Sequence, residues 1–199
     1  MSELPEGLRY LPGFLSEEEE RELVDELSRL AFREIHMHGV VARRTVVHYG
    51  WDYGYESWRL TPAPPVPRFL EPLRARCAAV AGLEPDALEE ALVSRYPPGA
   101  SIGWHRDAPM FGPCVIGVSL LGAARMRFRR EVGAGYQTAA LELAPRSAYV
   151  LAGAARWQWQ HTLSPVKTLR YSLSFRTVRS MSGGRAPRPG EGSPDIPGR

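Results

Sequence analysis

Near the N-terminus, apolar residues recur at helical spacing. Leu23, Val24, Leu27 and Leu30 fall on one stripe, which predicts an amphipathic helix over 17–31. Ser16 suits its N-cap, and Glu17 to Glu20 crowd the first turn, where negative charge favours the helix dipole. Before it, residues 9–15 read as a short extended segment. Residues 41–60 are rich in β-branched and aromatic side chains and predict a hairpin or irregular strands. Thr61-Pro-Ala-Pro-Pro-Val-Pro67 reads as a rigid connector without regular structure. A second helix follows over 68–82, ending at Gly82, and 84–91 reads as a short helical piece.

From Leu92 the period changes to two. Strands are expected at 91–96, 101–105, 115–121, 125–130, 137–143, 147–151, 156–161 and 169–178, separated by Gly, Pro and charged turns. Eight short strands at this spacing predict a double-sheet jelly roll, a double-stranded β-helix with the N-terminal helices packed on its sheet, an α+β arrangement. Residues 1–91 and 92–179 are expected to form one domain. The stretch 180–199 holds Ser, Gly, Pro and Arg with almost nothing apolar and is expected to be disordered.

Composition adds little. With 199 residues, 44% hydrophobic and 24% charged, the chain is long enough for a full core. A formal charge of +3 mildly favours an anionic partner. No apolar stretch reaches membrane-span length and the first residues lack a signal-peptide pattern, so no membrane partner and a cytoplasmic location are expected. Cys77 and Cys114 offer neither a disulfide framework nor zinc-like spacing. A monomer is expected.

The chemistry lies in the second half. His105 and Asp107 are two apart, so on a strand both side chains leave one face. A third ligand from a distant strand would complete a two-histidine, one-carboxylate facial triad with open positions on Fe(II). His161 is the candidate, sharing an alternating face with Trp157 and Trp159, a pattern that core packing would also give. His36 and His38 form a rival pair without an acidic or cysteine partner at useful spacing, and His48 has no assigned role. Arg170 and Arg176 differ by six and share a strand face with Ser172 and Ser174, while Tyr171, Leu173 and Phe175 take the other. A polar row with an arginine at each end suits a dicarboxylate.

The segments Ser94 to Asp107, Gly117 to Leu121, Arg127-Phe128, Pro145 to Gly153, His161 and Arg170 to Arg176 together resemble the AlkB family of Fe(II)- and 2-oxoglutarate-dependent dioxygenases. The resemblance runs in order over roughly 92–178 and extends more weakly to Tyr10 to Phe14 and to Arg43-Arg44…Tyr49-Gly50. At the first position of the family's Asn-x-Tyr stands Ser94, shorter and with a hydroxyl in place of an amide. The resemblance implies Fe(II) held by His105, Asp107 and His161. It implies a 2-oxoglutarate cosubstrate whose distal carboxylate meets Arg170 and Tyr96, with Ser94 and Ser172 beside it and Arg176 near the metal-bound end. It further implies oxidative demethylation of alkylated DNA or RNA bases, releasing succinate, CO2 and formaldehyde.

The same resemblance makes residues 36–59 a lid over the active site. Arg43, Arg44 and Arg59 would contact phosphates there, and some of Tyr49, Trp51, Tyr55 and Trp58 would stack on a base. The same aromatics could instead complete the core of a hairpin. Two other functions stay open: hydroxylation or demethylation of protein or tRNA side chains, and a jelly roll that binds nucleic acid without turnover.

Overall fold

The structure is a computed structural model that describes residues 3–37, 40–54, 57 and 59–179. Two antiparallel sheets form a jelly roll, and two helices cover the larger sheet. The chain runs β1 (Leu8–Leu11), α1 (Glu17–Ser28), β2 (Arg33–Met37), β3 (Val40–Tyr49), β4 (Trp51–Tyr53), β5 (Leu60–Pro62) and α2 (Glu71–Ala81). It continues through β6 (Glu90–Tyr96), β7 (Ile102–His105), β8 (Phe111–Leu121), β9 (Ala124–Val132), β10 (Gly135–Leu143), β11 (Ser147–Leu151), α3 (Gly153–Trp157), β12 (Gln160–Leu163) and β13 (Arg170–Val178). The large sheet has the order β1-β11-β8-β13-β6-β3-β2, and the small sheet β10-β9-β12-β7.

Helix α1 starts where its capping chemistry places it. Ser16 Oγ accepts from Glu19 N at 3.1 Å, and the Glu19 carboxylate accepts from Ser16 N at 2.7 Å. Helix α2 stops at Gly82, whose φ of 68° supplies a left-handed C-cap. Leu23, Leu27, Leu73 and Cys77 pack against Val93, Ile116, Val118, Leu173 and Phe175 of the large sheet. A second apolar cluster fills the space between the sheets with Val115, Met126, Phe128, Leu143, Leu151, Trp159 and Leu163. Strand alternation thus sorts β13: Tyr171, Leu173 and Phe175 face the helices, while Arg170, Ser172, Ser174 and Arg176 face a cavity between the sheets. On β8, Gly117 lies opposite Tyr149, and a Cβ there would meet that ring at about 2.2 Å. Among the described residues, no helix is long and apolar enough to cross a membrane.

Several sequence expectations are corrected. Residues 156–161 are not one strand: α3 ends at Trp157, and β12 begins only at Gln160. The alternating tryptophans mimic a strand, but Arg156 is drawn inward by four backbone carbonyls, and Trp157 stays 39% exposed while Trp159 is buried. Residues 84–91 hold a single 3-10 turn at Pro85–Ala87 before β6 begins. The proline-rich connector is strand as far as Pro62, which pairs with Trp51 in a two-stranded ribbon where one missing N–H is tolerated. The stretch expected to form a lid divides. Its β-branched run, Val40 to Tyr49, is an integral strand between β6 and β2, and only the β4–β5 ribbon stands apart. The segment 180–199, expected to be disordered, lies outside the described residues.

Candidate active site

A cavity of about 610 Å³ opens between the two sheets. Strands β7 and β12 pair so that His105 and His161 are direct neighbours, with ring centroids 4.2 Å apart. Asp107 follows β7, and its Oδ2 lies 3.7 Å from His161 Nε2. His105 Nδ1 donates to Gly103 O at 2.8 Å, given the tautomer that leaves the Nε2 lone pair for a ligand. His161 Nδ1 is buried with no hydrogen-bond partner among the described residues.

Electrostatics fix the protonation states. Burial, reinforced by His105 beside it, pushes the His161 imidazole from the ordinary 6.5 down to about 3. Burial also lowers His105, against the opposing pull of Asp107. For Asp107, burial works towards the neutral acid, but Arg176 and then the two histidines hold its carboxyl well below the usual range. Two neutral imidazoles and one carboxylate form a donor set that fits a divalent iron. As the side chains stand, no three His, Cys, Asp or Glu groups among the described residues already enclose a common point. Asp107 Oδ1 is instead held by Arg176 Nη2 at 2.8 Å.

The two arginines of β13 are buried in different ways. Arg176 Nη1 donates to both oxygens of the fully buried Glu90, at 3.1 and 3.0 Å. His48 Nδ1 lies 3.5 Å from Glu90, its Nε2 lies 3.7 Å from Asp52, and Asp52 pairs with Arg33 near the surface. A chain of charged and polar groups therefore runs from Asp107 to the protein exterior. Arg170 is only 1% exposed, yet among the described residues it has no carboxylate partner. Its Nη2 donates to Ser119 Oγ at 2.8 Å, its guanidinium lies 5.2 Å from the Tyr96 ring centroid, and its Nε bonds nothing. Ser94, Ser172 and Ser119 stand in register across β6, β13 and β8, and all three are buried. Tyr149 also lines the cavity, its hydroxyl kept protonated by burial, which raises it to about 12.

The structure thus gathers His105, Asp107, His161, Ser94, Tyr96, Arg170, Ser172 and Arg176 around one cavity. The proposed lid residues fare differently. Arg44 lines the cavity, and Arg43, its neighbour on β3, is exposed on the opposite face beside Gly99. Tyr49 packs against the helix-side core, because it lies an odd number of residues from Arg44. Trp51 is buried away from the cavity, Arg59 is exposed and does not line it, and Tyr55 and Trp58 lie outside the described residues. Of the rival histidine pair, His36 is exposed beside Glu34, and His38 lies outside the described residues. Sequence reasoning missed Glu90, Arg156 and the role of His48. Glu90 was legible in principle, since 90, 92, 94 and 96 share one strand face. Arg156 was not: it donates to Asp107 O, Ala108 O, Phe111 O and Gly112 O, pinning the loop after Asp107 in a way no local pattern encodes.

Two facing sheets with a histidine pair, a carboxylate and inward arginines between them describe an iron- and 2-oxoglutarate-dependent oxygenase. The sequence matches the family model of the 2OG-Fe(II) oxygenase superfamily over residues 7–186, and the chain belongs to that superfamily, using Fe(II) and 2-oxoglutarate. Within it the chain is AlkB-like. It is 28% identical to the Alkylated DNA repair protein ALKBH8 homolog of Arabidopsis thaliana over 87% of this chain and 59% of that protein. It is 27% identical to the tRNA (carboxymethyluridine(34)-5-O)-methyltransferase ALKBH8 of Mus musculus, over 87% of this chain and 27% of the mouse protein. The chain therefore spans between about a quarter and three fifths of these relatives. The solved structure of OsALKBH1 superposes with a TM-score of 0.70 at 15% identity, covering 89% of this chain and 99% of that one. A Pseudomonas putida prolyl-4-hydroxylase superposes at 0.62 and 15% identity, covering 87% and 93%.

The buried charges tie stability to pH and to their partners. Because His161 is lowered on folding from 6.5 to about 3, the unfolded chain binds the proton more readily below pH 6.5. Its contribution to stability is complete above pH 6.5 and is lost as the pH falls towards 3. The melting temperature of the metal-free protein should fall on acidification through this window, and His161→Asn should flatten that fall; parallel curves would refute it. Glu90→Ala removes one of the two carboxylates that compensate the buried Arg176 guanidinium, so denaturant unfolding should show a loss approaching about 3–5 kcal/mol. An unchanged midpoint would mean that Asp107 alone compensates Arg176.

Proposed function

We propose that this oxygenase oxidises a modified base in a nucleic acid, with alkylated bases of single-stranded DNA or RNA as the first candidates and demethylation as the outcome. The observation that carries this reading is the composition of the cavity lining. Tyr53, Trp104 and Trp157 supply ring faces there, and the exposed Arg106 and the buried Arg44 supply cations. Rings stack on a base of any sequence, and guanidinium groups meet its phosphates. A base inside a duplex would first have to be flipped out. The printed names of the relatives, one for alkylated DNA repair and one for a tRNA modification, support nucleic acid as the substrate class. The tRNA name favours a second reading, hydroxylation of a tRNA base without loss of a carbon.

In this reading His105, Asp107 and His161 hold the iron. The chemistry it supplies when bound is activation of dioxygen coupled to decarboxylation of 2-oxoglutarate. Arg170 binds the distal carboxylate of the cosubstrate, because a buried guanidinium that has no counter-ion and an unbonded Nε among the described residues is otherwise costly. Tyr96, Ser94, Ser119 and Ser172 line that end and keep water out. Arg176, fixed by Glu90, stands beside Asp107 at the metal end.

Succinate formation from 2-oxoglutarate and Fe(II) should rise on adding methylated single-stranded DNA, methylated RNA or tRNA, with formaldehyde released only if a methyl is removed. Stimulation by a protein substrate alone would overturn the nucleic-acid reading. Asp107→Ala should abolish the succinate signal in a folded protein. Arg170→Ala, which loses a charge-assisted contact of roughly 2–5 kcal/mol, should raise the 2-oxoglutarate requirement at least tenfold, since each decade is about 1.4 kcal/mol. An unchanged cosubstrate dependence would show that the carboxylate binds elsewhere.

A further inference from the structure

The small sheet has an outer face that the cavity does not use. Along β9, Ala124, Met126 and Phe128 point inward and are buried, so Arg125, Arg127 and Arg129 point outward. Arg125 is paired with Glu142 at 3.9 Å. Among the described residues, Arg106, Arg127 and Arg129 form no ion pair, and the two on β9 lie over rings instead. Arg129 lies 4.4 Å from the Trp104 ring centroid and 4.8 Å from that of Tyr136, and Arg127 lies 5.5 Å from Trp104. Arg106 donates to Gln158 O, and Arg129 donates to Gln160. Tyr136 is 54% exposed.

We infer that this face binds the single strand of nucleic acid that flanks the target nucleotide. The proposal rests on the nucleic-acid reading above and adds where the strand lies. Stacking occupies the flat faces of the guanidinium groups and leaves N–H edges for phosphate oxygens. It also fixes the side chains before binding, which reduces the ordering cost. Trp104 and Arg106 border the cavity as well, so the arginine-on-ring platform is continuous with its mouth. A base held in the cavity would lead its neighbours onto this platform. An acidic protein would meet the charges but would leave the exposed part of the Tyr136 ring unused.

The test titrates a fluorescent single-stranded RNA, at several salt concentrations, against the iron-loaded protein kept free of oxygen. Arg127→Ala/Arg129→Ala removes two cations that lie outside the cavity. Affinity at low salt should drop at least tenfold, and the log–log salt slope should become shallower by about 1.4, about 0.7 for each phosphate no longer neutralised. Succinate formation without nucleic acid should not change. Arg127→Lys/Arg129→Lys should keep the slope and lose part of the affinity, because lysine keeps the charge but not the planar stack. Wild type that binds neither this RNA nor the single-stranded DNA of the same sequence overturns the nucleic-acid reading and this proposal together. Wild type that binds with a salt slope the double alanine variant shares leaves that reading intact and overturns this one. If the double variant does not fold, Arg127→Ala alone, at an exposed position on the outward face of β9, should lower the slope by about half as much.

Discussion

Two guanidinium groups buried on one strand set the terms for the rest of the molecule. Arg170 and Arg176 sit on the inward face of β13, the central strand of the large sheet, and an interior charge is tolerated only with compensation. For Arg176 the compensation is built into the chain: Glu90 from the neighbouring strand and Asp107 from the loop after β7 surround it with carboxylates. For Arg170 it is incomplete. One serine hydroxyl and one ring face satisfy part of the group, and among the described residues its buried Nε has no hydrogen-bond partner. The difference separates a cation matched by carboxylates from a cation without one among the described residues.

The other elements follow from keeping that strand in place. Its apolar face needs a cover, which the capped helix α1 and the Gly82-terminated α2 supply through Leu27, Leu73 and Cys77. Its polar face needs a roof, which the small sheet supplies. Because β7 and β12 are neighbours in that roof, His105 and His161 are brought side by side by backbone hydrogen bonding, not by loop placement. Sites carried on strands hold their geometry more closely than sites carried on loops. Asp107 is the exception, standing just beyond β7, and four carbonyl contacts from Arg156 hold its loop.

Period-two alternation made the inward set on β13 readable from the sequence, and the same rule placed His105 and Asp107 together. It failed where tertiary contacts override local pattern. Trp157 and Trp159 alternate as a strand would, yet the demand of four carbonyls for Arg156 winds that segment into a helical turn. Tyr49 and Trp51 have the composition of a stacking surface, but the phase of β3 turns Tyr49 towards the helices, and Trp51 is buried away from the cavity. Glu90 escaped notice because a glutamate at the head of a strand reads as surface until its arginine partner, 86 residues away, is known.

The superposition on both an AlkB-like protein and a prolyl hydroxylase bears on where specificity resides. Two chains at 15% identity to this one share its sheets, so the scaffold does not select a substrate. Selection has to come from side chains that the scaffold leaves free. On this chain the arginines on the outward face of β9 are such side chains, and they can change without disturbing either core. The burial pattern of β9 makes this concrete: alternate residues are locked into the second cluster by Met126 and Phe128, and the intervening arginines carry no packing role there. A fold whose buried charges are gathered on the inward face of β13 can therefore change the outward charges of β9 without touching them.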